Sequence, residues 1–244
     1  MKKISLLLVF LLSFMSCSDE RDLSGLGTLQ IVIKATYGGI PLFLGNSYDY
    51  FGNGSIKFTK AEFFLSDLTA IGESSSVIFK DVDYVSILAH NLTLQDAVDG
   101  LTLSYLVPGG HYKGLSFNIG VNPAQNKTKP VDYSPSSPLG EGTHYWAGWN
   151  SYIFSKTEGV LNNGNSFSFS YHSGFDIALR NISSVRDFYI ENSDSATLYM
   201  DIDFKKIFEI NGTGMDIPSN PQIHNSSDIM TAFVDRYKAA IQIR

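Results

Sequence analysis

Leu29-Gln30-Ile31-Val32-Ile33-Lys34-Ala35-Thr36 is the stretch that decides the fold class. Leu29, Ile31, Ile33 and Ala35 alternate with Gln30, Val32, Lys34 and Thr36. A period of two places one set on each face of a strand, with the aliphatic set facing a core. Outward from there, similar runs rich in Phe, Tyr, Ile and Val recur at 55–71, 101–107, 112–121, 152–155, 166–172, 186–191 and 197–204. Clusters of Gly, Asn, Pro and Ser separate them, the spacing of an all-β, sandwich-like domain. Pro108-Gly109-Gly110 is a strong turn, so 101–121 reads as a hairpin or an equivalent connection. Helical spacing is confined to a short segment at 92–98 and a better one at 227–240. There Ile229, Met230, Phe233, Tyr237 and Ile241 recur every three or four residues, behind Ser226 or Ser227 as a cap. The expected domain is therefore β-rich with a short C-terminal helix and minor helical segments. Loops at 38–54 and 123–143 show no period, and loops that long tend to carry function or to be disordered.

The N-terminus has a separate logic. Met1-Lys2-Lys3 precedes an apolar run from Ile4 to Met15, and Ser16-Cys17 follows. A basic start, about a dozen apolar residues and a small residue at the cut site make a secretory signal. The run is too short for a bilayer, which takes roughly twenty residues. Cys17 is the one cysteine of the chain and stands where a lipid-modified cysteine must stand. Ser18-Asp19-Glu20 resembles the acidic stretch of surface-exported lipoproteins in Gram-negative bacteria. The expected organisation is a signal at 1–16, a lipidated tether at 17–27 and one domain at 28–244. The expected address is the outer membrane or cell surface, with the membrane as a partner through the lipid. Cleavage removes two lysines and no acid, taking the formal charge from −6 to −8. Such an acidic chain lacks the clustered cations that phosphate contacts require, so nucleic acid is excluded as a partner.

Common catalytic signatures are absent: no G-x-S-x-G elbow, no H-E-x-x-H helix, no Walker loop and no C-x-x-C pair. No substrate turnover is expected. Asp201 and Asp203 share a strand face, but Leu198, Met200, Ile202 and Phe204 take the opposite one, so the pair reads as a solvated side. Glu158 and Asp176 read as polar structural residues near aromatic motifs. His111 beside a Gly-Gly turn and His90 in a loop read as solvated.

The most distinctive segment runs from His144 to Gly159 and holds both tryptophans, Trp146 and Trp149. Phe167-Ser168-Phe169-Ser170-Tyr171-His172-Ser173-Gly174 follows shortly after. In a strand His144 and Trp146 would point the same way, and His172 ends another strand. Two imidazoles beside an aromatic ring make a plausible copper environment.

Trp146, Trp149, Tyr152, Phe154, Glu158, Gly159, Phe169, His172 and Gly174 resemble the pattern of the MbnP-like family, copper-binding proteins named for a methanobactin-associated member. Phe63-Phe64-Leu65-Ser66-Asp67-Leu68 is similar to the family's F-x-L-S-D strand. Pro108-Gly109-Gly110-His111-Tyr112 with Leu115 to Asn122 is similar to its P-G-x-Y hairpin. His224 followed by Asp228-Ile229-Met230 is a looser match. The resemblance implies a β-rich domain that binds copper for uptake, storage or delivery. It implies His172 as a ligand and Trp146 as the tryptophan that a dihaem peroxidase-like partner would oxidise to kynurenine. His144 and His224 complete the expected metal set, His144 on local geometry alone. Trp149 stands one residue further from Trp146 than the commonest spacing, and one residue in a strand flips a side chain to the other face. A surface glycan-binding or adhesive β-sandwich lipoprotein without a metal is the alternative. It requires an open indole face and no converging histidine pair.

Overall fold

The computed structural model describes residues 21–225 and 227–244; the expected export signal, Cys17 and Ser226 lie outside the described residues. Its long strands are β1 (Leu26–Tyr37), β2 (Ser55–Gly72), β3 (Val77–Ser86), β4 (Leu101–Pro108), β5 (Gly110–Ile119), β6 (Ser151–Asn162), β7 (Ser166–Gly174), β8 (Arg180–Ile190) and β9 (Ser195–Asp203). They form two main sheets in a sandwich-like arrangement. In the first, Ile241–Ile243, β9 and β1 lie side by side, and β4 and Ile40–Pro41 both pair with β1. The second runs β8, β5, β2, β6, β7 and Gln222–Ile223, with β3 added on β2. β2 is long enough to serve three main partners: β6 along its first half, β5 along its second and β3 across the middle.

The alternation at Leu29 has the expected result. Leu29, Ile31, Ile33 and Ala35 are buried, and so are Leu198, Met200 and Ile202 on β9. From the second sheet, Phe58, Phe63, Leu65, Phe117, Phe169 and Tyr171 join the same core. Two helices, Phe204–Phe208 and Asp228–Ala239, add Phe204, Phe208, Phe233 and Tyr237. Phe208 lies 5.5 Å from Phe58 and 5.8 Å from Tyr171, centroid to centroid, so helix and sheet are welded by rings. Ser227 caps the second helix by accepting from the Met230 amide, as its sequence indicated.

Three expectations change. The turn at Pro108-Gly109-Gly110 does not make a hairpin: β4 pairs with β1 in the first sheet, and β5 pairs with β8 and β2 in the second. The chain crosses between sheets there, and a Cβ on Gly109 would stand 2.4 Å from the Leu23 carbonyl oxygen. β3 was not anticipated, because Lys80, Asp81 and Asp83 interrupt any apolar alternation and Val85 is its one fully buried residue. Finally, Arg21 to Gly25 are docked. The Asp22 carbonyl accepts from the Asn192 amide, the Gly25 carbonyl accepts from Gly109, and Arg21 pairs with Glu191 at 2.7 Å. The segment read as tether is thus held to the body from Arg21 onward.

Two of the quoted motifs meet in space. Asp67, in the left-handed region at φ 52°, accepts from the side-chain amides of Asn118 at 2.9 Å and Asn122 at 3.1 Å. The F-x-L-S-D strand and the strand ending at Asn122 are therefore cross-linked, which positions the long segment that follows over the outer face of β2 and β6.

Candidate functional site

The site grows out of the β6–β7 hairpin. Residues equidistant from its Gly164 turn face each other, so Glu158 opposes Ser170 and Lys156 opposes His172. The even-numbered side chains of this hairpin, Lys156, Glu158, Ser170 and His172, point away from the core, while Phe169 and Tyr171 point into it. Gly159 is required at the crossing: a Cβ there would meet the Lys57 carbonyl at 2.1 Å and the Phe169 ring at 2.7 Å.

His224 arrives from the other direction. Gln222 and Ile223 pair in parallel with Ser170 and Tyr171, the Ser170 amide donates to the Pro221 carbonyl, and the Tyr171 hydroxyl donates to Asn220. These bonds pin the segment along the β7 edge and set the His224 imidazole 4.9 Å from that of His172. Both Nε2 atoms stand 3.1 Å from the Ser170 hydroxyl oxygen. His172 Nε2 is also 2.8 Å from Glu158 Oε1, and Lys60 lies 3.4 Å from the same carboxyl oxygen. The Nδ1 of His172 is buried and has no hydrogen-bond partner.

The tryptophans roof this group. Trp146 pairs with Ser151 in a two-residue strand, and the chain then turns, with the Trp149 amide donating to the Trp146 carbonyl. Their indoles stack at 4.5 Å. Trp149 rests on Gly174, where an added Cβ would approach its ring to 2.8 Å, and on Phe175 at 5.0 Å. Trp146 turns its face or edge to both imidazoles, 5.3 Å from His224 and 6.4 Å from His172. The expected flip of Trp149 does not occur, because 146–150 is a turn and strand parity has no meaning in it.

His144 goes elsewhere. It ends a short 3-10 turn (Gly142–His144) rather than lying in a strand with Trp146. Its ring stacks on Tyr84 at 3.7 Å and meets Phe64 edge-on at 5.4 Å, while Nδ1 donates to the Pro138 carbonyl. A buried lysine stands nearby: Lys156 donates to the Thr143 carbonyl and lies 3.8 Å from Glu62, which accepts from the Tyr84 hydroxyl. His144 and Trp146 therefore diverge, and the convergent pair is His172 with His224.

Electrostatics follow the burial. His172 is pushed below the ordinary histidine range by burial, against the opposing pull of Glu158. His224 is lowered for the same reason. On Glu158 burial favours the neutral acid, but the His172 hydrogen bond and the Lys60 ammonium outweigh it and hold the carboxyl below its usual range. Burial thus works against charge on both imidazoles, while Lys60 and the His172 hydrogen bond favour the ionised form of Glu158.

Among the described residues no three His, Cys, Asp or Glu side chains form a ready metal cage. What stands here is a two-imidazole donor set with one open buried nitrogen and a roof of indoles. Imidazole suits copper, and a copper ion accepts few nitrogen donors, so the residues fit that ion.

The sequence model of the MbnP family matches residues 26–230. The chain belongs to the MbnP family. No curated protein matches the sequence. Among solved structures, MbnP from Methylosinus trichosporium has a similar fold, with a TM-score of 0.54 and 11% identity over 90% of this chain and 98% of that one. At that identity the likeness is one of fold. Within this MbnP-family chain, Glu158 and Ser170 were missed as members of the site. The hairpin arithmetic about Gly164 would have placed both beside His172. The remaining candidates have structural partners: Asp201 pairs with Arg244, Asp203 caps Phe204–Phe208, and Asp176 accepts from Asn126. His111 is in a surface stack with Tyr189 at 4.3 Å.

Proposed function

We propose that this MbnP-family chain binds copper through His172 and His224, for uptake, storage or delivery, and turns over no substrate. One observation carries the reading: two histidines from distant parts of the chain meet at the Ser170 hydroxyl under the Trp146–Trp149 stack. His144, whose ring is held by Tyr84 and Phe64, is not part of this proposal. The export signal and Cys17 support a lipid-anchored protein of the outer membrane or cell surface. Trp146, the indole beside both imidazoles, is the residue a dihaem peroxidase-like partner would oxidise. The alternative, a glycan platform, is disfavoured because the indoles stack on each other and a histidine pair converges beneath them.

Metal analysis of the soluble domain, made in its native host, tests the copper reading. His172→Ala and His224→Ala are each expected to lose the copper that the wild type holds. Equal copper in all three proteins would sink the proposal. Mass spectrometry of the peptide carrying Trp146 and Trp149 reports separately on oxidation.

A further inference from the structure

We infer that Glu158 is a positioning residue for His172: it holds the imidazole in the Nε2–H tautomer and leaves the buried Nδ1 as the nitrogen open to a metal. The consequence for metal rests on the copper reading above, whereas the tautomer is a property of the metal-free chain.

An ionised carboxylate can only accept, so the 2.8 Å contact requires a hydrogen on His172 Nε2. With Nε2 carrying the hydrogen, a second hydrogen on Nδ1 would be a buried donor with no acceptor, so the surroundings leave Nδ1 unprotonated. That atom is buried and without a partner. A buried acceptor left unpaired carries a real cost, which a protein retains where the site has another use for the lone pair. Because His172 Nε2 has given its hydrogen to Glu158, it offers no lone pair to Ser170. Of the two imidazoles in contact with the Ser170 hydroxyl, only His224 can then accept from it. The carboxylate thus presets the His172 ring to offer Nδ1. Lys60, 3.4 Å from Glu158, favours the ionised state on which the arrangement depends. Outer partners of this kind fix the orientation and tautomer of ligating histidines.

Long-range proton–nitrogen correlation spectra of the metal-free, histidine-labelled folded chain read the tautomer directly. The wild type is expected to show His172 with a protonated Nε2 and an unprotonated Nδ1. Glu158→Gln keeps an acceptor oxygen and is expected to retain this state, while Glu158→Ala is expected to release a mixture of tautomers. Titration with Cu(I) under reductant should perturb Nδ1 of His172, and Glu158→Ala should bind Cu(I) about 10–100-fold more weakly. A protonated Nδ1 in the wild type, an unchanged tautomer in Glu158→Ala, or Cu(I) perturbing Nε2 of His172 would each overturn the inference. Should Glu158→Ala not fold, Glu158→Leu removes the acceptor while keeping the volume and is expected to release the same mixture of tautomers; an unchanged tautomer there would equally overturn the inference. If no Cu(I) binds, the copper reading falls, and the tautomer alone decides the role of Glu158.

Discussion

His144 and His172 both stand on the outer face of the second sheet, both beside aromatic rings and both within the field of Lys156. Their surroundings make them different instruments. The His144 ring is clamped between Tyr84 and Phe64, and its Nδ1 donates to a backbone carbonyl. It fastens the 142–144 turn to the sheet. The ring of His172 has a carboxylate on one nitrogen, nothing on the other and a second imidazole 4.9 Å away. Aromatic neighbours do not separate a ligand from a structural histidine. An unspent nitrogen with a second donor nearby is what singles out His172 as the proposed ligand.

Four experiments test this contrast. The largest expected effect is on metal: His172→Ala should lose copper entirely, while His144→Ala should retain it at wild-type stoichiometry, as read by metal analysis of the purified proteins. Loss of copper from both would show that the two histidines act together. Next comes Tyr152→Ala. Tyr152 is fully buried, packs on Phe64 and donates its hydroxyl to the Leu139 carbonyl, so it holds the long segment from below. Its truncation should cost about 3–5 kcal/mol in urea unfolding. A cost under half of that would mean the segment is held mainly from the His144 side. His144→Ala should itself cost about 1–2 kcal/mol, the value of one buried hydrogen bond and a ring stack; the same denaturation measurement checks it.

The smallest effect is a slope. Burial holds the His144 pKa below the ordinary 6.5. The unfolded chain therefore takes up a proton near that pH which the folded chain refuses. Stability should fall as pH drops below about 6.5, and the fall should end once the folded-state pKa is passed. Replacing His144 by Gln should flatten part of the slope, with the remainder belonging to His172 and His224, which burial lowers in the same direction. An identical slope in the variant would remove His144 from the account.

Much of the fold was legible because strand parity is a local property. The aliphatic set at Leu29 to Ala35 could bury itself only on one face, and it does. The cap at Ser227 and the helix behind it were legible for the same reason. β3 was not, since charges on a half-exposed strand erase the period. The candidate site was legible in part. His172, His224 and Trp146 were named from the sequence, but the assumption of a strand through 144–149 misdirected both His144 and Trp149, where the backbone turns.

By itself the sequence determined a cysteine-poor, acidic β chain of the MbnP pattern, with histidines and tryptophans as its unusual chemistry. Periodicity, composition and motif order are written along the chain and need no partner to be read. Tertiary structure alone decided that β1 and β9 run parallel, that β4 and β5 part into different sheets, and which histidines meet. Pairing across long separations is fixed by the packing of whole faces. The His172–His224 contact exists because Gln222 and Ile223 found the free edge of β7, a choice made by backbone hydrogen bonds that no local pattern encodes.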